Sequence, residues 1–185
     1  MIIVVMGVSG SGKTTIGTML ADALGCSYLE GDALHPAENI EAMMRGVALT
    51  DADRAPWLAA IRGRLVQAWQ NGDSLVVGCS ALKESYRDAL SHDLPITWVY
   101  LHGSAELIRA RLQHRTDHFF DASLLGSQLD TLEEPRGAIT VDIAQSPAAI
   151  VAYIIGRIGE TRDVRICAGL DELGAPGAEE AAALV

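Results

Sequence analysis

The segment Gly7-Val8-Ser9-Gly10-Ser11-Gly12-Lys13-Thr14 constrains this chain more than any other feature. It fits the pattern GxxxxGK[ST]. In that pattern glycines let the backbone turn tightly and aim successive N–H groups inward, so that a polyphosphate replaces water as their partner. The pattern is informative only where a buried strand feeds the loop and a helix leaves it, and both flanks comply. Met1 to Val5 is apolar and rich in β-branched residues. Thr14 to Leu24 sets Ile16, Met19, Leu20, Ala23 and Leu24 at helical spacing, and Gly25 ends the helix. The helix start adds the positive end of its dipole to the phosphate site. Gly7, Ser9, Gly10, Ser11 and Gly12 supply the cradle. Lys13 reaches the β- and γ-phosphates, the Thr14 hydroxyl holds Mg²⁺, and Thr15 bonds the α-phosphate. The expected ligand is a nucleoside triphosphate with its magnesium.

The rest of the chain alternates short buried strands with helices. Strands are expected at Ser27–Glu30, Ser74–Val77, Thr97–Leu101 and Ile139–Val141. Helices are expected from Pro36 to about Arg45, Pro56 to Gln70, Lys83 to Leu90, Ala105 to Gln113, Leu124 to Leu132, and from Ser146-Pro147 to Ile158. Thr50 to Ala55 reads as a turn, because Pro56 sits awkwardly inside any helix begun at Thr50. This alternation predicts an α/β fold, a doubly wound five-stranded parallel sheet flanked by helices. Residues 1–160 make one domain, with an aperiodic stretch at about 114–124. Residues 161–185, rich in Gly, Ala and acidic groups, read as a mobile tail, with one extra strand at Val164–Cys167 as the alternative.

Composition excludes several classes. No apolar run approaches the roughly 18 residues needed to cross a bilayer, and no basic segment precedes the first apolar stretch, so neither a membrane span nor a signal peptide is expected. A net charge of −10 argues against a broad electrostatic grip on nucleic acid. Three cysteines without a CxxC pair fit a reduced, cytoplasmic protein better than a disulfide scaffold or a zinc site.

The substrate side must be read from other segments. No NKxD-type guanine signature is present, and the third strand, Val76-Val77-Gly78-Cys79-Ser80, carries no terminal carboxylate of the motor and GTPase kind. The second strand instead ends in Glu30-Gly31-Asp32-Ala33-Leu34-His35-Pro36. Ligands of open α/β sheets bind outside the carboxyl ends of the strands, so Asp32 and His35 are expected to face the phosphate loop. A carboxylate there accepts the proton of an attacking hydroxyl or holds a magnesium-bound water. The competing reading has Asp32 cap the helix that starts at Pro36. Arg54 offers a bidentate fork to a substrate carboxylate or to the transferred phosphate, against an ion pair with Asp51 or Asp53. Lys83 and Arg87, four apart on one helical face, can both point into the cleft, against a solvated face. Ser80 either bonds a substrate hydroxyl or caps a helix. Trp57, Trp69 and Trp98 read as core.

Five segments together resemble the small gluconokinases of the P-loop kinase superfamily: GVSGSGKTT (7–15), EGDALHP (30–36), LTDADRAPWL (49–58), CSALKESYRD (79–88) and RLQHRTDHFF…LLGSQLDTLEEP (111–135). The resemblance implies that ATP, with Mg²⁺, phosphorylates D-gluconate at its 6-hydroxyl, and it implies a homodimer. By analogy with related kinases, the stretch after Arg111 is a lid that closes over the phosphates. There Arg111 stacks on adenine, Arg115 neutralises charge on the γ-phosphate, and His118 and Phe119 latch the closed form. The loop from Asp142 to Ser146 lines the adenine pocket through backbone groups. Two rival readings stand beside this one: a kinase of another small metabolite, such as shikimate or a different sugar acid, and a non-catalytic nucleotide-binding regulator.

Overall fold

Strand β1 (Ile2–Met6) is buried on both faces along its whole length, which only the centre of a sheet provides. It pairs in parallel with β3 (Leu75–Gly78) on one side and β4 (Ile96–His102) on the other. β2 (Ser27–Glu30) extends the sheet beyond β3, and β5 (Ile139–Asp142) extends it beyond β4. The order β2-β3-β1-β4-β5 is that of a doubly wound P-loop sheet, as expected. This computed structural model describes residues 1–113 and 124–171, with 161–171 as backbone only.

Alternation along β1 sends side chains into two cores. Ile3 and Val5 join Ile16 and Leu20 of helix α1 (Lys13–Leu24), Ile108 of α5 (Ala105–Gln113), and Ile150 and Ile154 of α7 (Pro147–Asp171). Ile2, Val4 and Met6 pack on the opposite face against Trp57, Ile61 and Leu65 of α3 (Asp51–Gln70) and Tyr86 and Leu90 of α4 (Glu84–Ser91). Fully burying each such branched side chain contributes about 1.5–3 kcal/mol. A third, smaller cluster joins Met43 of α2 (Ala37–Met44), Leu49 and Leu124, just ahead of α6 (Leu125–Thr131). It ties the α2–α3 connection to the start of α6.

The carboxyl ends of β1, β2 and β3 come close together. A β-carbon on Gly31, which opens a short 3₁₀ turn (Gly31–Leu34), would collide with the Gly78 carbonyl. Only glycine lets the ends of β2 and β3 approach so closely. This crowding puts Asp32, Ser80 and the phosphate loop around one opening.

Three expectations need correction. Helix α3 begins at Asp51 rather than Pro56, with Pro56 inside it. The Thr50 side chain accepts from Asp53 N while the Asp53 carboxylate accepts from Thr50 N at 2.8 Å, a reciprocal cap that, with the burial of Trp57, Leu58 and Ile61, offsets what the proline costs. Helix α7 continues past Ile158 to Asp171, so Val164–Cys167 is helical rather than a strand. Gly156 and Gly159 weaken a helix without ending one, and an Arg157–Glu160 ion pair at 3.2 Å spans Gly159. Trp69 is 45% exposed and is not core. Residues 172–185, the remainder of the expected tail, lie outside the described residues.

Candidate active site

The phosphate loop leaves β1 and enters α1 at Gly12, whose φ of 100° is left-handed and strained for any residue with a β-carbon. Gly10 is pinned from above, since a β-carbon there would lie 2.9 Å from Leu112 of α5. Lys13 is buried, with Nζ donating to the Val8 carbonyl at 3.3 Å. The Ser11 hydroxyl is buried and takes no partner among the described residues. A buried orphan hydroxyl in a loop of left-handed glycines, with a buried ammonium two residues further on, is what a polyphosphate would complete. Ser9, Gly10, Gly12, Lys13, Thr14, Thr15 and Asp32 bound one channel, so the loop and the β2 carboxylate meet as expected. The Thr14 hydroxyl, expected on Mg²⁺, donates to Glu30 Oε2 at 2.6 Å, and Tyr28 OH donates to the same oxygen at 3.0 Å. Glu30 is thus a site carboxylate that sequence reasoning passed over, although it stood inside the EGDALHP segment.

A deeper cleft opens from that channel. Ser9, Lys13, Asp32, His35, Arg54 and Ser80 all line it, with Trp57 as part of its wall. Asp32 does not cap the following helix: Pro36 occupies the cap position and no side chain bonds there. That leaves the Asp32 carboxylate to the cleft. His35 stacks on Trp57 with ring centroids 4.2 Å apart, and the indole Nε1 donates to the Gly31 carbonyl at 2.8 Å. Trp57 is therefore both core and site wall. Burial pushes the His35 imidazole down to about 4, against the opposing pull of Asp32 and with help from Arg54. At neutral pH His35 is uncharged, and its buried Nδ1 has no partner among the described residues. It can hydrogen-bond a ligand but cannot supply a positive charge.

The three basic side chains expected to meet an anionic substrate separate here. Arg54 lines the cleft; its Nη1 donates to Tyr86 OH at 3.3 Å and lies 3.9 Å from the Asp51 carboxylate. Lys83 does not line the cleft. It precedes α4, and its Nζ donates to both Asp51 oxygens at 2.8 and 2.7 Å. Tyr86 OH also donates to Asp51, and these bonds hold that carboxyl below the usual range. Arg87 is buried, and Nη1 donates to the carbonyls of Ala81 (3.0 Å) and Leu82 (3.2 Å). Ala81 has φ of 41°, a conformation costly for a non-glycine residue. The Arg87 guanidinium thus holds the bent segment that presents Ser80. It supports the site from behind rather than reaching into it.

On the other side of the phosphate loop, Gly12, Thr15, Arg111, Gln145, Pro147 and Ile150 line a second opening. The Arg111 guanidinium donates to the Ile143 carbonyl at 2.7 Å, so α5 and the β5–α7 loop share one edge of it. Within that loop Gln145 faces the opening, while Asp142 is exposed and accepts from Ala144 N at 2.8 Å. Arg115, His118 and Phe119 lie outside the described residues.

Comparison with known proteins agrees with this geometry. A family model described as an AAA domain matches residues 2–135. A gluconokinase from Gluconobacter oxydans is 54% identical over 134 residues, covering 72% of this chain and 75% of the relative. The crystal structure of a gluconokinase from Sinorhizobium meliloti superposes with a TM-score of 0.79 at 49% identity, covering 89% of this chain and 96% of that one. An unliganded sugar kinase from Janibacter superposes with a TM-score of 0.78 at 45% identity, over 83% and 91% of the two chains. With a phosphate loop, a carboxylate and an arginine-lined cleft arranged on a 2-3-1-4-5 sheet, the chain belongs to the gluconokinase family of small P-loop kinases.

Proposed function

We propose that this protein transfers the γ-phosphoryl group of ATP to the 6-hydroxyl of D-gluconate, giving 6-phospho-D-gluconate and ADP. One observation carries the substrate side: Asp32 and Arg54 line a single cleft that opens onto the phosphate channel. In this reading Arg54 takes the gluconate carboxylate as a bidentate fork, because Lys83 is engaged by Asp51 and Arg87 by backbone carbonyls. His35, neutral, and Ser80 hydrogen-bond hydroxyls along the polyol. Asp32 accepts the proton of the 6-hydroxyl as it attacks. Lys13 and the loop N–H groups neutralise charge as it spreads over the transferred phosphoryl oxygens.

Arg111 and the Gln145 edge would hold the adenosine end, and Arg115 would act from the lid. The residues fit Mg²⁺: Thr14 would ligate it, with Glu30 and Asp32 beside it to hold its waters. Bound there, Mg²⁺ would offset the negative charge of the phosphates. We also propose that the protein acts in the cytoplasm, without nucleic acid, and as a homodimer. No helix among the described residues is long and apolar enough to cross a membrane.

ADP release is the test, measured with gluconate, shikimate, AMP and gluconate isomers in parallel. Gluconate should outrun every other acceptor by at least an order of magnitude. Faster turnover of shikimate would move the protein to another metabolite, and tight ATP binding without acceptor-dependent ADP release would mark a regulator.

A further inference from the structure

Gln128 lies on α6, in a segment that the assignments above leave without a chemical role. Its side-chain oxygen accepts the backbone N–H of Ser9 at 2.7 Å, linking α6 to the phosphate loop. A backbone N–H can only donate, so this bond fixes the orientation of the amide. Oε1 faces Ser9, and the NH₂ group with its two hydrogens lies at the other side of the same plane. Among the described residues that NH₂ takes no partner. Gln128 also lines the substrate cleft with Asp32 and Ser80. Ser9, Lys13 and Asp32 bound the phosphate channel as well as the cleft, so Gln128, anchored on Ser9, sits at their junction. The neighbouring Ser127 does not compete for this place, because its hydroxyl donates to the Leu124 carbonyl at 2.8 Å.

We infer that Gln128 orients the phosphoryl acceptor: its NH₂ donates to an oxygen at the reacting end of the bound polyhydroxy acid while its carbonyl stays on Ser9. This rests on the function proposed above. A hydroxyl has one hydrogen and two lone pairs. With the hydrogen directed to Asp32 and one lone pair held by Gln128, the remaining lone pair is the one presented to phosphorus. The same planar amide grips the loop that carries the phosphates, so acceptor and donor are aligned through one rigid group.

Two variants separate this role from simple support of the loop. Gln128→Glu keeps an oxygen for Ser9 N–H and replaces both donors by a charged oxygen. Gln128→Met keeps the length and loses both functions. ADP release is measured against gluconate concentration, and ATP affinity is titrated without gluconate. Both variants should lose about 10- to 100-fold in kcat/KM for gluconate, the loss expected for one hydrogen bond to substrate. Gln128→Glu should be no more active than Gln128→Met, and the Kd for ATP should move less than about threefold in either. A Gln128→Glu variant more active than Gln128→Met assigns Gln128 to the loop alone and overturns the inference. So does a loss of ATP affinity that matches the loss in kcat/KM. If Gln128→Met fails to fold, the near-isosteric Gln128→Glu decides by its own loss. Wild-type protein inactive on gluconate would overturn the functional proposal itself, a different result from either of these.

Discussion

Tyr86→Phe removes one oxygen atom from a residue that does not line the cleft, and it should still weaken gluconate binding. Tyr86 is 5% exposed and its ring packs in the core beside Trp57 and Leu90, so phenylalanine preserves the packing and opens no cavity. The hydroxyl accepts from Arg54 Nη1 and donates to Asp51. Asp51 keeps both Lys83 bonds and reaches solvent, so the cost to stability should be modest, about 1 kcal/mol. The effect on binding follows from Arg54, whose side chain is 17% exposed and held by that hydroxyl at the edge of the cleft. With that bond gone and only the 3.9 Å contact with Asp51 left, it must be ordered further each time substrate binds. Immobilising one long side chain costs about 0.5–1.5 kcal/mol, which corresponds to a rise of about 2- to 12-fold in the KM for gluconate. The KM for ATP and kcat should each stay within about twofold, since no atom near the phosphates moves. Steady-state kinetics in both substrates, with a thermal melt, make the measurement. An unchanged KM for gluconate in a variant that has lost stability would show that Arg54 is not the substrate anchor. A fall in kcat alone would place the Tyr86 hydroxyl in the chemistry.

Other outcomes follow from the same geometry. Arg111→Ala should raise the KM for ATP about tenfold and leave kcat within threefold, as expected for a ground-state stacking contact; a rise confined to the KM for gluconate would move Arg111 to the substrate site. His35 is held neutral in the fold with its imidazole down at about 4, whereas the unfolded chain takes up a proton near 6.5, so its contribution is complete above pH 6.5 and is lost as pH falls toward 4. The difference in melting temperature between wild type and His35→Gln should therefore shrink across that window, and a constant difference would contradict the buried, neutral imidazole. Asp32→Asn should fold normally and lose about 100-fold or more in kcat, with ATP affinity in the absence of gluconate much less affected; a variant retaining a third of wild-type kcat removes Asp32 from the mechanism.

The sheet was legible because its central strand is an uninterrupted apolar run followed at once by a glycine-rich loop, a pattern with one structural solution. The phosphate site was legible for the same reason: its residues are contiguous. The start of α3 was not, because the proline at position 56 argues against a helix while the Thr50–Asp53 cap and the burial of Trp57 and Ile61 favour one. Lys83 and Arg87 illustrate a deeper difficulty. Helical spacing places two side chains on one face but does not say what lies opposite: here Asp51 comes from α3, and the bent Ala81–Leu82 backbone lies behind the cleft. The partner of Lys83 is set by the packing of α4 against α3, which no local pattern encodes, and those of Arg87 by the bend at Ala81. Glu30, Tyr86 and Gln128 escaped notice because each acts through a neighbour distant in sequence: Thr14, Arg54 and Ser9. A polar residue placed within an otherwise amphipathic segment, as Gln128 is in Leu124-Leu125-Gly126-Ser127-Gln128-Leu129, was the available signal.

³¹P NMR of the reaction mixture reads directly which oxygen receives the phosphate. Wild-type protein, ATP, Mg²⁺ and D-gluconate should convert the ATP signals to those of ADP together with one new phosphomonoester. Transfer to the 6-hydroxyl creates a P–O–CH₂ group, so the new proton-coupled resonance should be a triplet. A doublet would mean that a secondary hydroxyl was phosphorylated and that the acceptor lies differently between Asp32 and Arg54. Inorganic phosphate as the only new signal beside ADP would mean that the protein hydrolyses ATP and does not transfer its phosphoryl group to gluconate.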